Sequence, residues 1–340
     1  MQQQLMIDHL DIAYDQQVVI KQCHFTLPRG RILSLLGPSG CGKSTLLKAI
    51  AGLLPIQSGT ITLGDKVISA ANRQIPPEQR SVGMIFQDYA LFPHLTVADN
   101  VAFGLHQLSK AERQKKCREG LALVRLSELA ERYPHELSGG QQQRVAIART
   151  LVCEPDVMLF DEPFSNLDVA VRQALADDIK SLLKNHQITA IFVTHDKNEA
   201  FAMADDIAII KEGEIEQFGT PQQLYDKPKN RYIAEFLGSG MILSAQSDDA
   251  GWQTPIGYID KKDQANILRW QTKNKQTEIY LRPHQVGMVK DNEGQAVIES
   301  IGFRGDLLVY RLRLPNETVT SLSSQRFHIG ERVSLSLNLG

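Results

Sequence analysis

The segment Gly37 to Thr45, GPSGCGKST, fits the spacing G-x-x-x-x-G-K-[ST] and directly follows an apolar run. Glycines at positions 37, 40 and 42 let successive backbone N–H groups turn inward as an anion-binding nest at a helix N-terminus. Lys43 is then placed to reach the β- and γ-phosphates of a nucleotide, and the Ser44 hydroxyl to ligate Mg²⁺. The alternative is a glycine-rich strand–helix turn; the flanking strand and helix patterns favour phosphate binding.

Two carboxylates end the apolar run Val157 to Phe160. Asp161, at the strand tip, is placed to hold Mg²⁺ directly or through water, and Glu162 to polarise a water for in-line attack on a γ-phosphate. A strand that ends in Asp-Glu is, taken alone, more often a solvated turn. The phosphate-binding segment in the same chain favours the catalytic interpretation.

Two further polar residues close apolar runs: His195 follows Ile191 to Thr194, and Gln87 follows Val82 to Phe86. Ligands of α/β sheets lie at the carboxyl ends of strands. We therefore expect His195 to contact the γ-phosphate and Gln87 to sense Mg²⁺ or the attacking water. The alternatives are a partly exposed strand terminus and a glutamine without a role.

The run ELSGGQQQR, Glu136 to Arg144, predicts a second helix start. Ser138 is a suitable N-cap, Gly139 and Gly140 allow close approach of another backbone, and a helix is expected over Gln141–Val152. Its positive end would face an anion. An ordinary capped helix is the alternative. A second anion-binding helix start is redundant in a monomer, but it is useful if two copies each cap the other's nucleotide.

These motifs need a scaffold, and short apolar runs indicate one. The runs Ile32–Leu36, Val157–Phe160, Ala190–Val193 and Ile207–Ile210 are typical of strands that are buried on both faces. A helical pattern over Leu167–Asn185 lies between two of them. This β-α-β rhythm predicts an α/β core with a largely parallel sheet.

Two regions depart from this rhythm. Residues 88 to about 135 are mainly helical in pattern, and with the helix that follows they predict an inserted helical subdomain of about 88–153. After residue 240, period-2 alternation in 308–314 and 333–339 predicts a small all-β, barrel-like domain. The predicted domains are therefore 1–239 and 240–340.

Composition limits the partners. The formal net charge is -2, so no basic excess indicates nucleic acid, and no run reaches the roughly 18 apolar residues of a membrane span. The N-terminus lacks the layout of a signal peptide. The four cysteines are scattered without C-x-x-C spacing, which indicates neither a zinc site nor a disulfide framework. We expect a soluble, cytoplasmic chain.

In combination, the motifs resemble the ATP-binding subunits of ABC transporters over about residues 4–237. GPSGCGKST resembles the Walker A loop, Gln87 the Q-loop, LSGGQQQR the signature motif, VMLFDEP the Walker B strand, Ser165–Asp168 the D-loop and THD the switch-histidine segment. The resemblance implies ATP contacts from Tyr14, by stacking on adenine, and from Gly37, Pro38, Ser39, Gly40, Cys41, Gly42, Lys43, Ser44 and Thr45. It implies catalytic roles for Glu162, His195 and Gln87, and Mg²⁺ ligation by Ser44, Gln87 and Asp161. It also implies that Ser138, Gly139, Gly140 and Gln141 contact the nucleotide of the partner chain. Asp168 would couple the two chains of the dimer.

The resemblance also implies a function. It is that of an ATPase with ATP and Mg²⁺ as cofactors, working as a homodimer on the cytoplasmic face of the inner membrane as a peripheral protein. Its partners would be transmembrane permease subunits and a periplasmic or surface solute-binding protein, with no nucleic acid. QDYALFPHLTVADNVAFGL and ERYPHELSGGQQQR are most similar to ferric-iron importers. The ATPases of importers for polyamines, thiamine, sulfate, phosphonates or sugars share much of these two segments, so those cargoes remain alternatives.

Two other classes of protein explain the sequence less well than a transport ATPase does. A soluble ABC ATPase that acts on DNA or ribosomes usually has paired cassettes or a coiled-coil insert, and this chain has one cassette and neither insert nor basic patch. A GTPase or small-molecule kinase does not explain LSGGQQQR, and no Asn-Lys-x-Asp segment is present.

The tail, with LRPHQV, is similar to the regulatory TOBE-type domain of importer ATPases. His284 stands where that family more often has glutamate, and Asn166 stands where its D-loop often has alanine.

Overall fold

The computed structural model describes residues 3–14, 17–165, 167–271 and 277–339, so Asn166 lies outside the described residues. The chain divides into two compact units, Met1–Pro221 and Gln222–Gly340. The strands of the first unit are β1 (Gln3–Tyr14), β2 (Gln17–Pro28), β3 (Ile32–Leu36), β4 (Ser58–Leu63), β5 (Lys66–Ala70), β6 (Arg73–Gln74), β7 (Val82–Ile85), β8 (Val157–Asp161), β9 (Thr189–Thr194), β10 (Asp206–Lys211) and β11 (Glu214–Gly219). Its helices are α1 (Lys43–Ala51), α2 (Val97–Ala102), α3 (Lys110–Leu123), α4 (Gly139–Leu151), α5 (Val169–Asn185) and α6 (Lys197–Met203).

The central sheet has the order β11-β10-β3-β9-β8-β7. Strands β10, β3, β9, β8 and β7 pair in parallel, and β11 is an antiparallel edge. Every residue of β3 and β9 is buried, as expected for strands covered on both faces. The predicted α/β core with a mostly parallel sheet is confirmed, and each predicted strand is present.

A second sheet of the same unit, with the order β2-β1-β4-β5-β6, is antiparallel. Helix α1 packs between the two sheets, since Leu46, Leu47 and Ile50 share one core with residues of β1 and β3. The sheets thereby hold the helix that begins at the phosphate-binding segment.

The carboxyl end of α1 rests on a buried arginine. Arg80 is buried and donates to the carbonyl oxygens of Ala49 (3.0 Å) and Ile50 (2.8 Å) and to the Ser69 hydroxyl (2.8 Å). These carbonyls belong to the last turn, which lacks intrahelical donors. Burial lowers the pKa of Arg80. The arginine therefore adds donors at the end of α1, where the Ala49 carbonyl also accepts from the Gly52 N–H (3.1 Å).

The segment between β7 and β8 holds the predicted helical subdomain. Helices α2, α3 and α4 all lie there. Ser109 and Glu112 form a reciprocal capping box at the start of α3, whose charged residues are largely exposed. Over the residues the structure describes, no helix has the length and apolar character that a membrane crossing demands.

The second unit is mainly β, and its first helix begins at Pro221, the last residue of the first unit. Its elements are α7 (Pro221–Asp226), α8 (Arg231–Leu237), β12 (Met241–Ser247), β13 (Gly251–Thr254), β14 (Gly257–Asp260), β15 (Leu268–Gln271), β16 (Thr277–Leu281), β17 (Val286–Lys290), β18 (Ala296–Arg304), β19 (Leu307–Arg313), β20 (Thr318–Ser323) and β21 (Arg332–Leu337). Two antiparallel sheets, β14-β13-β12-β16-β15 and β17-β21-β18-β19-β20, share one core. Tyr310 and Leu312 are buried and alternate with exposed Arg311 and Arg313, which confirms the period-2 prediction.

The compact units divide upstream of the predicted boundary at 239/240. The Tyr280 hydroxyl of β16 lies within hydrogen-bond distance of the carbonyl oxygens of Ala234 (3.0 Å) and Gly238 (2.9 Å), either of which can accept its one hydrogen. Arg282 donates to the Tyr225 carbonyl (2.6 Å), and its guanidinium lies 3.4 Å from the centroid of that ring. Hydrogen bonds thus hold helices α7 and α8 against the β strands across the predicted domain boundary.

Candidate active site

The phosphate-binding segment connects β3 to α1 through backbone that requires glycine. Gly40 and Gly42 have φ of 80° and 101°, in the left-handed region that glycine alone adopts without strain. A Cβ on Gly42 would lie 2.6 Å from Ile20 Cδ1, and one on Gly37 would lie 2.2 Å from the Ile210 carbonyl oxygen. The loop is therefore shaped by close packing against its neighbours.

The Lys43 side chain lies inside this loop and is 5% exposed. Its Nζ donates to the carbonyl oxygens of Gly37 and Pro38, each at 2.8 Å. Among the described residues, the hydrogen bonds of the ammonium all go to atoms of this loop, so its charge lies inside the segment whose backbone N–H groups are predicted to bind an anion. This placement suits a phosphate with several negative charges.

Ser44 and Asp161 are 117 positions apart in the chain and meet directly. The Ser44 hydroxyl donates to Asp161 Oδ1 at 2.7 Å, because the first turn of α1 faces the carboxyl end of β8. A hydroxyl and a carboxylate oxygen are the hard donors that Mg²⁺ prefers. Two of the three predicted metal ligands therefore form one pair that fits this ion, and Gln87, the third, donates to Ser165.

Glu162 and His195 follow neighbouring strands, β8 and β9. His195 Nδ1 lies 3.5 Å from Glu162 Oε2. The Glu162 N–H donates to the Val193 carbonyl (3.2 Å), and Glu162 has a left-handed φ of 46° that is strained for a residue with a side chain. The backbone at this strand end thus aims a carboxylate at an imidazole.

Gln87 joins the same cluster through a serine. Gln87 Nε2 donates to Ser165 Oγ (3.2 Å), and Ser165 Oγ donates to the Glu162 carbonyl oxygen (3.0 Å). The Q-loop, the D-loop and the Walker B strand are therefore linked by two consecutive hydrogen bonds.

The signature segment forms the expected helix start, with different bounds. The predicted helix Gln141–Val152 is instead Gly139–Leu151, because Ser138 is the N-cap and Val152 the C-cap. Ser138 Oγ accepts from the Gln141 N–H (3.4 Å), and Gln141 Oε1 accepts from the Ser138 N–H (2.9 Å). In the described part of this chain, no hydrogen bond joins the signature residues to the segment 37–45.

The signature start packs instead on the D-loop and α5. A Cβ on Gly139 would lie 3.2 Å from Leu167 Cδ2, and one on Gly140 would lie 3.6 Å from Val171. Asp168 Oδ1 accepts from the Val171 N–H (3.0 Å), so Asp168 caps α5, which begins at Val169 and not at the predicted Leu167. Its side chain therefore has a local structural role in addition to any role between subunits.

Arg172, which no sequence motif indicated, connects the D-loop to two carboxylates that follow β9. Its Nη2 donates to the Leu167 carbonyl (2.9 Å), and its Nη1 lies 3.4 Å from Glu199 and 3.7 Å from Asp196. Glu199 accepts from the Thr194 hydroxyl (2.6 Å), and burial raises its pKa. Arg172 lies in the first turn of α5, where a positive charge is unfavourable because it opposes the helix macrodipole. That unfavourable position is the feature of the sequence that could have indicated a specific anionic partner.

Arg149, in the last turn of α4, was also missed. Its guanidinium donates to the carbonyl oxygens of Tyr89 (2.9 Å) and Ala90 (2.7 Å), two consecutive residues with left-handed φ of 62° and 44°. Burial lowers the pKa of Arg149. The helix that begins with the signature motif thereby holds the strained backbone just after Gln87.

Tyr14 ends β1 and is 43% exposed. It pairs with Gln17 of β2, the strand whose Ile20 lies beside Gly42. His284 lies exposed in a short 3-10 turn, Pro283–Gln285, of the second unit.

Comparison with known proteins agrees with this geometry. Residues 20–165 match the ABC transporter family, and residues 279–339 match the TOBE domain. The Fe(3+) ions import ATP-binding protein FbpC 2 of Pectobacterium atrosepticum is 39% identical over 346 aligned positions, which cover 98% of this chain and 97% of that protein.

Solved structures show the same cassette. CbiO1 from Clostridium perfringens, part of the ABC transporter complex cbiONQ, has a TM-score of 0.62 and 31% identity over 67% of this chain and 92% of its own. The ATP-binding cassette MJ0796, in a dimeric post-hydrolysis state with ADP and Pi, has a TM-score of 0.56 and 30% identity over 64% of this chain and 98% of its own. The resemblance drawn from the motifs is confirmed: the chain belongs to the ABC transporter family, as an importer-type ATPase whose cassette is followed by a TOBE domain.

Proposed function

We propose that this ATPase drives uptake of ferric iron through a bacterial membrane permease. The observation that carries the ATPase chemistry is the pairing of Ser44 with Asp161 beside the Glu162–His195 pair. The cargo rests on similarity to a relative that is named for Fe(3+) import and matches nearly the whole chain.

In this proposal the loop residues 37–45 bind the ATP phosphates, and Tyr14 stacks on the adenine. Lys43 neutralises the β- and γ-phosphates. Ser44 and Asp161 hold Mg²⁺. Gln87, which is hydrogen-bonded to Ser165, senses whether the ion is bound. Mg²⁺, when bound, supplies electrostatic stabilisation of the charge on the transferred phosphoryl group.

Glu162 acts as the general base. A water oxygen attacks the γ-phosphorus in line, Glu162 takes the water proton, and the bond to the bridging oxygen breaks so that ADP leaves with the electron pair. His195 contacts the γ-phosphate and, at 3.5 Å from the carboxylate, orients Glu162. Gln87 helps to position the water.

The active form is a homodimer in which Ser138, Gly139, Gly140 and Gln141 of each copy contact the nucleotide of the other. Two observations support this arrangement: among the described residues the signature start packs on the D-loop and makes no hydrogen bond to its own phosphate loop, and a similar cassette is dimeric. Asp168, at the start of α5 beneath the signature glycines, couples the two sites.

The ATPase works at the cytoplasmic face of the inner membrane with permease subunits and a periplasmic or surface solute-binding protein. Residues 1–239 are the cassette, and residues 240–340 are a regulatory domain. ATP-driven closure of the dimer moves the permease, and hydrolysis resets it.

Complementation between two defective chains tests the shared site. Ser138→Arg places a bulky cation where the opposite γ-phosphate approaches, while Lys43→Ala damages the phosphate loop. Each variant alone should be inactive, and a mixture should regain hydrolysis because one heterodimer site pairs an intact loop with an intact signature. Absence of recovery, with heterodimers shown by size exclusion, would contradict a signature that acts in trans.

Transport itself is tested in cells that lack this gene. Uptake of labelled ferric iron should return with the wild-type chain and stay absent with Glu162→Gln. Membrane co-purification should recover the permease and the solute-binding protein. Normal iron uptake in the deleted strain, together with lost uptake of another solute, would replace ferric iron as the cargo and leave the ATPase assignment intact.

A further inference from the structure

An irregularity in the antiparallel sheet gathers three metal-binding side chains. Ile7 pairs with Phe25 and Leu10 pairs with Cys23, so Asp8 and His9 together oppose the single residue His24. Consecutive residues of a regular strand point to opposite faces. A β-bulge with two residues against one removes that alternation and brings Asp8, His9 and His24 together on the sheet surface.

The bulged backbone is held in a costly conformation. His9 has a left-handed φ of 45°. On the other side of β1, a Cβ on Gly59 would lie 2.4 Å from the His9 carbonyl oxygen, so β4 admits the bulge only because it has glycine there. A strained residue of this kind persists where the surroundings fix it, and such residues concentrate at functional sites.

The three side chains have the spacing of ligands that share an ion. Asp8 Oδ1 lies 2.8 Å from His9 Nδ1 and 3.2 Å from His24 Nδ1, and each residue offers a ligand atom within 4.8 Å of the others. Metal–ligand bonds of about 2.0–2.1 Å place neighbouring ligand atoms about 2.9–3.4 Å apart. Each imidazole therefore already lies near the separation from the carboxylate that a bound cation imposes, and the two imidazole ligand atoms lie within 4.8 Å of each other.

The donor set and its exposure define the class of ion. Imidazole nitrogens suit Zn²⁺, Fe²⁺ and similar transition metals, whereas Mg²⁺ and Ca²⁺ prefer oxygen donors throughout. The side chains of His9, His24 and Asp8 are 68%, 56% and 45% exposed, which leaves room for water in the remaining positions. We propose that Asp8, His9 and His24 bind one divalent transition-metal ion, separate from the Mg²⁺ that accompanies ATP and independent of the transported cargo.

The test uses the full-length chain without an affinity tag, treated with chelator and free of nucleotide. Co²⁺ is titrated as the probe by its visible d–d absorption, and Zn²⁺ by calorimetry. The expected result is one ion per chain. His9→Ala and His24→Ala should each weaken binding by at least about 10–100-fold, the loss that follows even from removing an outer-shell partner.

Matched variants separate this site from other ligands. His106→Ala removes an exposed histidine elsewhere and should leave the affinity unchanged, as should His195→Ala at the other carboxylate–imidazole pair. Asp8→Asn keeps the side-chain shape but loses the charge and should weaken Co²⁺ binding with no change in the melting temperature of the metal-free chain. This variant decides the matter if a histidine variant does not fold.

Three results would overturn the proposal. The first is Co²⁺ binding that is the same in wild type, His9→Ala and His24→Ala. The second is a wild-type affinity no greater than that of the His9→Ala and His24→Ala double variant. The third is displacement of Co²⁺ by an equal concentration of Mg²⁺, which would show a hard-ion site of a different class.

Discussion

Two helix starts in the cassette, those of α1 and α4, offer positive ends to anions in different ways. The N-cap of α1 is left-handed Gly42, which makes no side-chain cap, and Lys43 is buried beside it. The N-cap of α4 is Ser138, in extended backbone, with a reciprocal cap from Gln141 and no basic residue in the first turn. One start leaves its N–H donors for a ligand, whereas the other partly satisfies its own.

The difference teaches what each start can do alone. In the proposed function, the donors of α1 and the buried ammonium bind the nucleotide phosphates within one chain. The capped start of α4 is stable without a ligand and carries only its helix dipole, so it suits an anion that is already held elsewhere. The following predictions test this division, from the largest expected effect to the smallest.

Glu162→Gln should trap a dimer in which the start of α1 from one chain and the start of α4 from the other contact the same ATP. The amide keeps the shape but cannot take the water proton, so turnover should fall by roughly 10²–10⁴ while ATP binding survives. ATP should then hold a stable dimer that is visible by size exclusion. In this background, Gly140→Cys should crosslink to a cysteine introduced in the partner's phosphate loop. Turnover at half the wild-type rate would remove Glu162 from the role of base.

Lys43→Ala should weaken ATP binding by roughly ten- to a hundredfold, since a charge-assisted contact contributes about 1.5–3 kcal/mol. Ser138→Ala, the matched change at the other start, should leave the affinity of the monomer for ATP unchanged. Fluorescence titration of both variants measures the contrast. Equal losses in the two would show that the starts are not divided in this way.

Replacing one glycine by alanine at the start of α1 and one at the start of α4 should change the free energy of unfolding in opposite directions. Gly42→Ala places a Cβ at positive φ and 2.6 Å from Ile20, so unfolding should become easier by about 1–3 kcal/mol. Gly140→Ala meets only ordinary contacts and should stabilise α4 by up to about 1 kcal/mol, yet impair hydrolysis in the dimer. Thermal melting and ATPase assays check the pair. Destabilisation by Gly140→Ala would contradict the open geometry of that start.

The smallest effect concerns the cap itself. Ser138→Ala should lower the free energy of unfolding by about 1 kcal/mol, and Ser138→Gly by only a few tenths. Denaturant unfolding of the isolated subunit resolves the two. An unchanged midpoint in Ser138→Ala would mean that the Ser138–Gln141 box does not support α4.

Much of the candidate site was predictable because each of its residues follows an apolar strand of recognisable length. Ser44, Asp161, Glu162 and His195 lie where the carboxyl ends of parallel strands and the start of α1 must converge. Fold class followed for the same reason, since continuous apolar runs and period-2 runs have distinct patterns.

Contacts that depend on register or on carbonyl groups were not predictable. Arg149 and Arg172 bind backbone oxygens, which have no sequence signal of their own. The meeting of Asp8, His9 and His24 needs a bulge, and strand alternation predicts the opposite. The attachment of α7 and α8 to the β strands of the second unit rests on Tyr280 and Arg282, which come more than forty positions later than the three carbonyl groups that they contact there.

Because the backbone of Glu162 is left-handed, the residue that would make this position more stable differs from the residue that the proposed reaction needs. A glycine there would relieve the backbone by about 1–3 kcal/mol and raise the melting temperature. It would also delete the carboxylate beside His195. Directed evolution that rewards heat resistance alone should therefore enrich Glu162→Gly, whereas a screen that also demands ATP turnover should never recover it.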